Sequence, residues 1–405
     1  MRYTIRLRIS LIALFFTVLQ TATFSRQSAQ ADFALKDGDR VVFFGDSITE
    51  QRLYTTYVEH FVLTHYPDRR VIFINTGWGG DKVTANDCKP CAGVGGMARI
   101  HRDVIAHQPT VVTLLFGMND GNYQDFDPAT MKVYTDGLSA IISEIKSKTR
   151  ARIYVMTPTV YDGDHSAPWS KTTRYNDVLD RYSDAAKQIA ARENLPVIDL
   201  HSATMEALRK AKQQKSDYTF LHDGVHPEED GQLVMAAEML RAWGAKSAEA
   251  IRQANIQSGS ARLTIAAPLP WPSPLPSETI QSVNPQITDL GKVRLKVIGL
   301  PSGSYDVQID GSNAGRFTSD QLLAGIAVNS QKATDATRQV AALVRQRADI
   351  FFNRWRQIEA RLVKEYISAP RAVAAIDVLV GEMTARARSL ARPHNYDVVI
   401  TRVEK

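Results

Sequence analysis

Cysteine is nearly missing: the chain has two in 405 residues, too few for a disulfide-built scaffold. An excess of charge is nearly missing as well. The formal surplus of +6 shrinks to two beyond residue 31, because the first 31 residues carry Arg2, Arg6, Arg8 and Arg26 and no acid. A chain this close to neutral offers little to a phosphate backbone, so no nucleic-acid partner is expected. Beyond residue 31 no apolar run has the length to cross a bilayer as a helix, and no integral membrane segment is expected there. Internal repeats are absent. What remains, with 44% hydrophobic and 23% charged residues, is the composition of a folded globular chain. Its length suits two domains, or one large domain with an appendage.

The chain opens with Arg2, Arg6 and Arg8, an apolar run from Ile9 to Leu19, and a polar stretch ending Ala29-Gln30-Ala31. That order is the pattern of a secretory signal peptide over residues 1–31, with a mature chain beginning near Asp32 and working in a secreted or periplasmic setting. Cys88 and Cys91 stand in Cys-Lys-Pro-Cys. In an oxidising compartment they suit a small loop-stiffening disulfide; unpaired thiols and a redox or metal pair are the alternatives. No second Cys pair follows, and His101 and His107 lack regular ligand spacing, so no metal site is expected.

From Asp39 onward, short apolar runs alternate with amphipathic stretches. Residues 40–44, 71–74, 111–116, 152–156 and 196–200 read as strands, and Val133 to Ile145 and Tyr175 to Ala191 as helices. Strands apolar throughout, separated by helices, indicate a parallel sheet covered on both faces. The expected fold is a doubly wound α/β domain over 32–245, with flavodoxin-like strand order 2-1-3-4-5. In such a sheet the loops after the first three strands meet in one crevice at the carboxyl edge. Those loops read Gly45-Asp46-Ser47-Ile48-Thr49, Gly77-Trp78-Gly79-Gly80-Asp81 and Gly117-Met118-Asn119-Asp120. A fourth segment, His222-Asp223-Gly224-Val225-His226-Pro227, precedes the last helix of the domain.

Cleaving an ester takes a nucleophile, a base, a group that orients the base, and donors for the oxyanion. Ser47 at a strand-to-helix junction suits the first role. His226 suits the second, with Asp223 three residues earlier placed to accept from one ring nitrogen. The backbone N–H groups of Ser47 and Gly80 and the amide of Asn119 are candidate oxyanion donors. Singly, each residue also fits a helix cap, a turn or a loop; jointly, in this order and at adjacent strand ends, they do not. The G-x-S-x-G elbow of another serine-hydrolase class is absent.

On these four blocks (Gly45-Asp46-Ser47, Gly80 within 75–81, Asn119 within 117–120, and Asp223-x-x-His226) the chain resembles the SGNH or GDSL hydrolases. The resemblance covers about residues 38–245. It implies a three-layer α/β/α sandwich and a serine esterase working through an acyl-enzyme without metal or cofactor. It assigns Ser47 as nucleophile, Gly80 and Asn119 as oxyanion donors, and His226 as base oriented by Asp223. Ile48 replaces the Leu of the family's name, and the stretch 88–96 reads as an insertion relative to the compact pattern. The family includes carbohydrate O-acetylesterases, lysophospholipases, thioesterases and arylesterases. Export, and the lack of a broad apolar lid, favour O-acyl, chiefly O-acetyl, groups on a saccharide or a small molecule. A lipid-directed acylhydrolase and a non-catalytic polysaccharide-binding relative are the alternatives. Trp78 suits either stacking on a sugar ring or a core position. The oligomeric state is not written in the sequence.

Residues 268–276, Pro-Leu-Pro-Trp-Pro-Ser-Pro-Leu-Pro, cannot sustain a helix and mark a Pro-rich linker over 246–286. Residues 293–297 and 305–309 alternate and suggest a small β-hairpin closed at Pro301-Ser302-Gly303, with Asp310-Gly311 a further turn. Val340, Val344, Phe351, Trp355, Ile358, Leu362 and Tyr366 form one apolar helical face. Arg338, Arg345, Arg347, Arg354, Arg356, Arg361 and Lys364 line the rest, which reads as a solvated face, with contact to an acidic polysaccharide or an anionic membrane surface as the alternative. A second helix over 372–391 and a short strand near 396–401 complete a C-terminal region, 287–405, expected to dock on the hydrolase or on its own helices.

Overall fold

Residues 33–84, 94–166 and 168–403 are described in a computed structural model of the protein. The leader expected at 1–31 and both cysteines lie outside the described residues. The apolar runs become five parallel strands: β1 (Arg40–Gly45), β2 (Ile72–Asn75), β3 (Val111–Leu115), β4 (Arg152–Met156) and the two-residue β5 (Val197–Ile198). Their order is β2-β1-β3-β4-β5, as expected from the sequence. Val41 of β1 pairs with Phe73 on one side and with Val111 on the other. Both faces of these central strands are covered, which is why β1 and β3 lack alternation.

The helices of this part are α1 (Ser47–Glu50), α2 (Leu53–His65), α3 (Gly96–Asp103), α4 (Pro128–Lys148), α5 (Tyr175–Arg192), α6 (Leu200–Gln214) and α7 (Glu229–Ala242). On one face α7 packs against α2 and α6; on the other α4 packs against α3 and α5, giving the three layers. Local chemistry sets the starts. Asp127 caps α4 by accepting from the N–H groups of Ala129 and Thr130, and Pro128 occupies the first turn, where its missing N–H costs nothing.

The second half of the chain departs from expectation in three ways. The stretch 246–286 is not simply a linker. It carries β6 (Ala248–Gln253), β7 (Ser260–Ala267) and α8 (Glu278–Val283), followed by α9 (Pro285–Leu290). Alanine supplies much of the buried face of both strands, at 248, 250, 261 and 267, so the alternation is faint in the sequence. The Pro-rich residues 268–276 do run without helix, but Leu269 and Trp271 are buried, and the Trp271 indole N–H donates to Tyr57 O at 2.9 Å.

The hairpin is also displaced. β8 (Val293–Ile298) pairs with β6 and with β11 (Ile326–Val328), whereas β9 (Ser304–Ile309) pairs with β10 (Ser312–Thr318) and β12 (His394–Arg402). The alternating runs therefore belong to two sheets, ordered β11-β8-β6 and β10-β9-β12-β7. The tight turn falls at Asp310 and Gly311, with φ of 50° and 81°. Positive φ at both central residues is what a two-residue hairpin needs and what Asp-Gly supplies.

Third, the basic helix is not a solvated face along its length. It runs as α11 (Gln331–Asn353), after the short α10 (Ser319–Ala324), and continues through a π-helical turn, Arg354–Glu359, into α12 (Ala360–Leu362). It lies on α2 and against α13 (Ala369–Leu390). Arg345 reaches Glu229 and the Tyr57 hydroxyl, Arg347 pairs with Glu59, and Arg354 pairs with Glu359 and Asp377. Arg338, Arg361 and Lys364 are exposed. The docking itself follows expectation: Trp271, Phe351 and Trp355 sit in the core of the parallel-sheet part, and Leu63 of α2 sits in the core of the two smaller sheets. Among the described residues no helix is long and apolar enough to cross a membrane.

Candidate active site

Ser47 stands where β1 gives way to α1. A Cβ on Gly45 would fall 2.4 Å from Thr49 Oγ1 and 2.6 Å from Leu115 O, so only glycine lets the strand end there. Asp46 then caps α1, accepting from the Ile48 N–H at 3.0 Å, a bond of the kind worth about 1 kcal/mol. The Asp46 carboxyl is buried and its Oδ2 has no hydrogen-bond partner among the described residues. Burial pushes its pKa up to about 8, the nearby Asp120 and Asp81 adding to the rise against the Ile48 bond and Arg99. The burial favours the neutral form of this carboxyl, next in sequence to Ser47.

His226 Nε2 lies 2.7 Å from Ser47 Oγ, and Nδ1 lies 2.6 Å from Asp223 Oδ2. The other Asp223 oxygen accepts from the N–H groups of Val225 and His226 at 2.9 and 2.8 Å. Burial works upward on this carboxyl, but the bonds from the His226 backbone and ring and from Val225 prevail and hold it below its ordinary value. The ionised Asp223 accepts a hydrogen bond from His226 Nδ1–H, which fixes the tautomer and leaves Nε2 to accept from the Ser47 hydroxyl. This is the geometry in which an imidazole withdraws a proton from a nucleophile.

The loop after β2 passes against α1. Asn75 donates through Nδ2 to Thr49 O at 2.8 Å and accepts the Gly77 N–H at 3.0 Å. A Cβ on Gly77 would lie 2.2 Å from Glu50 N, and one on Gly79 would lie 3.9 Å from Ser47 Cβ. The Asp81 N–H closes a turn onto Trp78 O at 3.1 Å, with Gly80 at φ 74° inside it. Asn119, after β3, donates through Nδ2 to Asp81 O at 3.0 Å and accepts the Tyr123 hydroxyl at Oδ1, 2.8 Å. Asp120 accepts from Val83 N and Gly117 N; its burial outweighs these bonds and lifts its pKa to about 6. The buried Arg99 donates to Gly45 O and Thr76 O and pairs with Asp81 and Asp103. It thereby joins the ends of β1 and β2 to the turn.

The structure gathers Ser47, Asp223 and His226 by direct contact, and Gly80 and Asn119 through Asp81; all five are half-buried at one rim of the sheet. Trp78 is not a stacking platform. It is buried, edge-on to Trp355 and beneath Arg356. Sequence reasoning missed Tyr123, Arg99, Glu50, Trp355 and Arg356. Tyr123 lay within reach of a closer reading of the Asn119 loop and the Arg99–Asp103 pair is an i,i+4 contact, whereas Glu50 and Arg356, and Trp355 and Asp103, are partners far apart in sequence. Among the described residues no group of three or more His, Cys, Asp or Glu is arranged to hold a metal ion.

Comparison with known proteins gives consistent results. The family model described as GDSL-like Lipase/Acylhydrolase matches residues 43–234. An acetylxylan esterase of Geobacillus stearothermophilus is 28% identical over 228 residues, 51% of this chain and 94% of that protein. An isoamyl acetate-hydrolyzing esterase 1 homolog of Mus musculus is 26% identical over 198 residues, 46% of this chain and 74% of that protein. Among solved structures, a gut microbial diltiazem-metabolizing enzyme superposes with a TM-score of 0.73 at 19% identity, covering 91% of this chain and 98% of its own. That likeness concerns the fold, and it extends through the C-terminal half.

Proposed function

The chain belongs to the GDSL-like lipase/acylhydrolase family through residues 43–234 and is a serine ester hydrolase; from that premise we propose that it removes O-acetyl groups from carbohydrate by an acyl-enzyme route. The observation that carries the mechanism is the 2.7 Å approach of Ser47 Oγ to a His226 ring held by Asp223. Ser47 attacks the acyl carbonyl while His226 takes its proton. The oxyanion is met by the Ser47 and Gly80 N–H groups and by Asn119 Nδ2, and losing one such donor typically costs about 10²- to 10³-fold in turnover. The alcohol leaves with the proton from His226, and water activated by the same ring releases acetate.

The saccharide acetyl ester is favoured by the likeness to the acetylxylan esterase, and work outside the cytoplasm by the charged, apolar and Ala-Gln-Ala order of residues 1–31. The test is a Ser47→Ala variant of the mature chain on p-nitrophenyl acetate and acetylated xylan, with fluorophosphonate labelling alongside. Hydrolysis and labelling are expected to vanish while the fold persists. Activity retained in the variant removes Ser47 from the mechanism. Rates that rise from acetyl to longer acyl esters redirect the assignment to lipid.

A further inference from the structure

The segment that carries Ser47 runs from Gly45 through α1 to Arg52, and it is gripped from the far end of the chain. Arg52 has a left-handed backbone, φ 65°, a conformation that needs outside support in a residue with a side chain. Its guanidinium donates to Glu50 O at 2.6 Å, pairs with Asp349 at 3.1 Å and lies 4.2 Å from the Phe352 ring centroid. One turn further along the C-terminal helix, the Arg356 guanidinium carbon lies over the Trp78 ring, 3.2 Å from its centroid, with Nε 3.4 Å from Glu50 Oε1. Trp355 beside it stands edge-on to Trp78 and donates to Asp103 at 2.9 Å, and Asp103 pairs with Arg99. Glu50 belongs to the helix that begins with Ser47, and Trp78 opens the turn that contains Gly80. Arg356 thus touches both the nucleophile's helix and the oxyanion turn. Residues 354–359 form a π-helical turn, a form rare in proteins and concentrated at functional sites.

We propose that residues 349–356 are a positioning element for the active site, with Arg356 holding α1 and the Trp78–Asp81 turn in register with His226. Arg356 is 5% exposed, so it acts through Glu50 and Trp78 without touching substrate. The inference rests on the hydrolase reading above. Its physical basis is that a small misplacement of a nucleophile or an oxyanion donor is felt in turnover much more than in binding. Arginine suits the role because its planar group can lie on an indole face while its edge meets a carboxylate, which the point charge of lysine cannot do.

The experiment compares full-length wild type, Arg356→Gln, Arg356→Lys and Arg347→Gln on p-nitrophenyl acetate, with melting temperature and fluorophosphonate labelling rate measured on each. Arg356→Gln is expected to lower kcat by about 10- to 100-fold with KM nearly unchanged, and to slow labelling by a similar factor. Arg347→Gln removes the buried pair with Glu59 and loosens α11 on α2 away from Ser47; it is expected to lower the melting temperature and keep kcat. If the Gln variant does not fold, Arg356→Lys decides, with kcat expected about 10-fold below wild type. A wild-type kcat in Arg356→Gln or Arg356→Lys overturns the proposal, as does an equal loss of kcat in Arg347→Gln. A wild-type enzyme whose activity does not depend on Ser47 removes the hydrolase reading itself and this inference with it.

Discussion

The side-chain amide of Asn119 has two ends, and only the nitrogen end can stabilise an oxyanion. Asp81 O is an acceptor and nothing else, so the atom facing it is Nδ2; the Tyr123 hydroxyl faces the opposite end, Oδ1. The two contacts together leave the second Nδ2 hydrogen for the cleft. Tyr123 and its neighbour Asn122 both have positive φ, 51° and 58°, a strained pair of the kind that collects at functional sites. A Tyr123→Phe variant is expected to lose about 10-fold in kcat with little change in KM, as measured by steady-state kinetics on an acetyl ester. The loss stays below that of removing the donor because Asp81 O still holds the amide.

At the scale of elements, the contact between α2 and α11 carries a titration. His60 of α2 meets Thr337 of α11 at 2.8 Å, and the Thr337 hydroxyl donates to Pro270 O. The His60 Nε2–H therefore donates to Thr337, and Nδ1 is buried with no partner among the described residues. Burial drops the His60 pKa to about 3, and the charges of His65 and Arg345 push the same way. In the unfolded chain the same ring takes up its proton near 6.5. As pH falls between those values the unfolded state holds one more proton than the folded state, so stability falls by up to about 1.4 kcal/mol per pH unit for this group. Urea midpoints of a His60→Gln variant are expected to decline less steeply than those of wild type between about pH 6 and 4.

Elements also show what could be read in advance. The parallel strands and the four site segments announce themselves locally: a largely apolar run gives way to Gly or Asn after each of the first three strands, and the topology brings those ends to one edge. The C-terminal sheets do not. β12 pairs with β7 and β9, partners that only the folded chain selects, and alternation at 293–297 and 305–309 says that each run is a strand without naming its neighbour. The basic residues of α11 and of the π-helical turn after it read as a wet face because their acidic partners are not in view; Glu229, Glu59 and Glu50, which receive Arg345, Arg347 and Arg356, are more than a hundred residues away. In the site itself the sequence named Ser47, His226 and Asp223, which the structure brings into contact, but not Arg356, Glu50 and Tyr123, which pack around them.

For the molecule as a whole, the parallel-sheet part and the C-terminal half lend side chains to one another. The described residues, 33–84, 94–166 and 168–403, belong to one compact unit. Trp271, from the Pro-rich stretch, reaches into the larger core and bonds to Tyr57 of α2. A Trp271→Ala variant is expected to cost about 3–5 kcal/mol and to shift one cooperative transition, read by calorimetry, rather than free a separately melting half. Two independent transitions would show that the halves fold on their own.

The same knitting bears on how this sequence can change over time. Helices on the face of an α/β sheet usually keep one wet side where substitutions pass unnoticed. In α2 every residue from Tyr54 to His65 is buried, the sheet lying under it and α11 over it. A mutation there has two neighbours to satisfy at once, so the helix and the C-terminal segment that covers it are bound to drift together, each replacement in one narrowing what the other can accept.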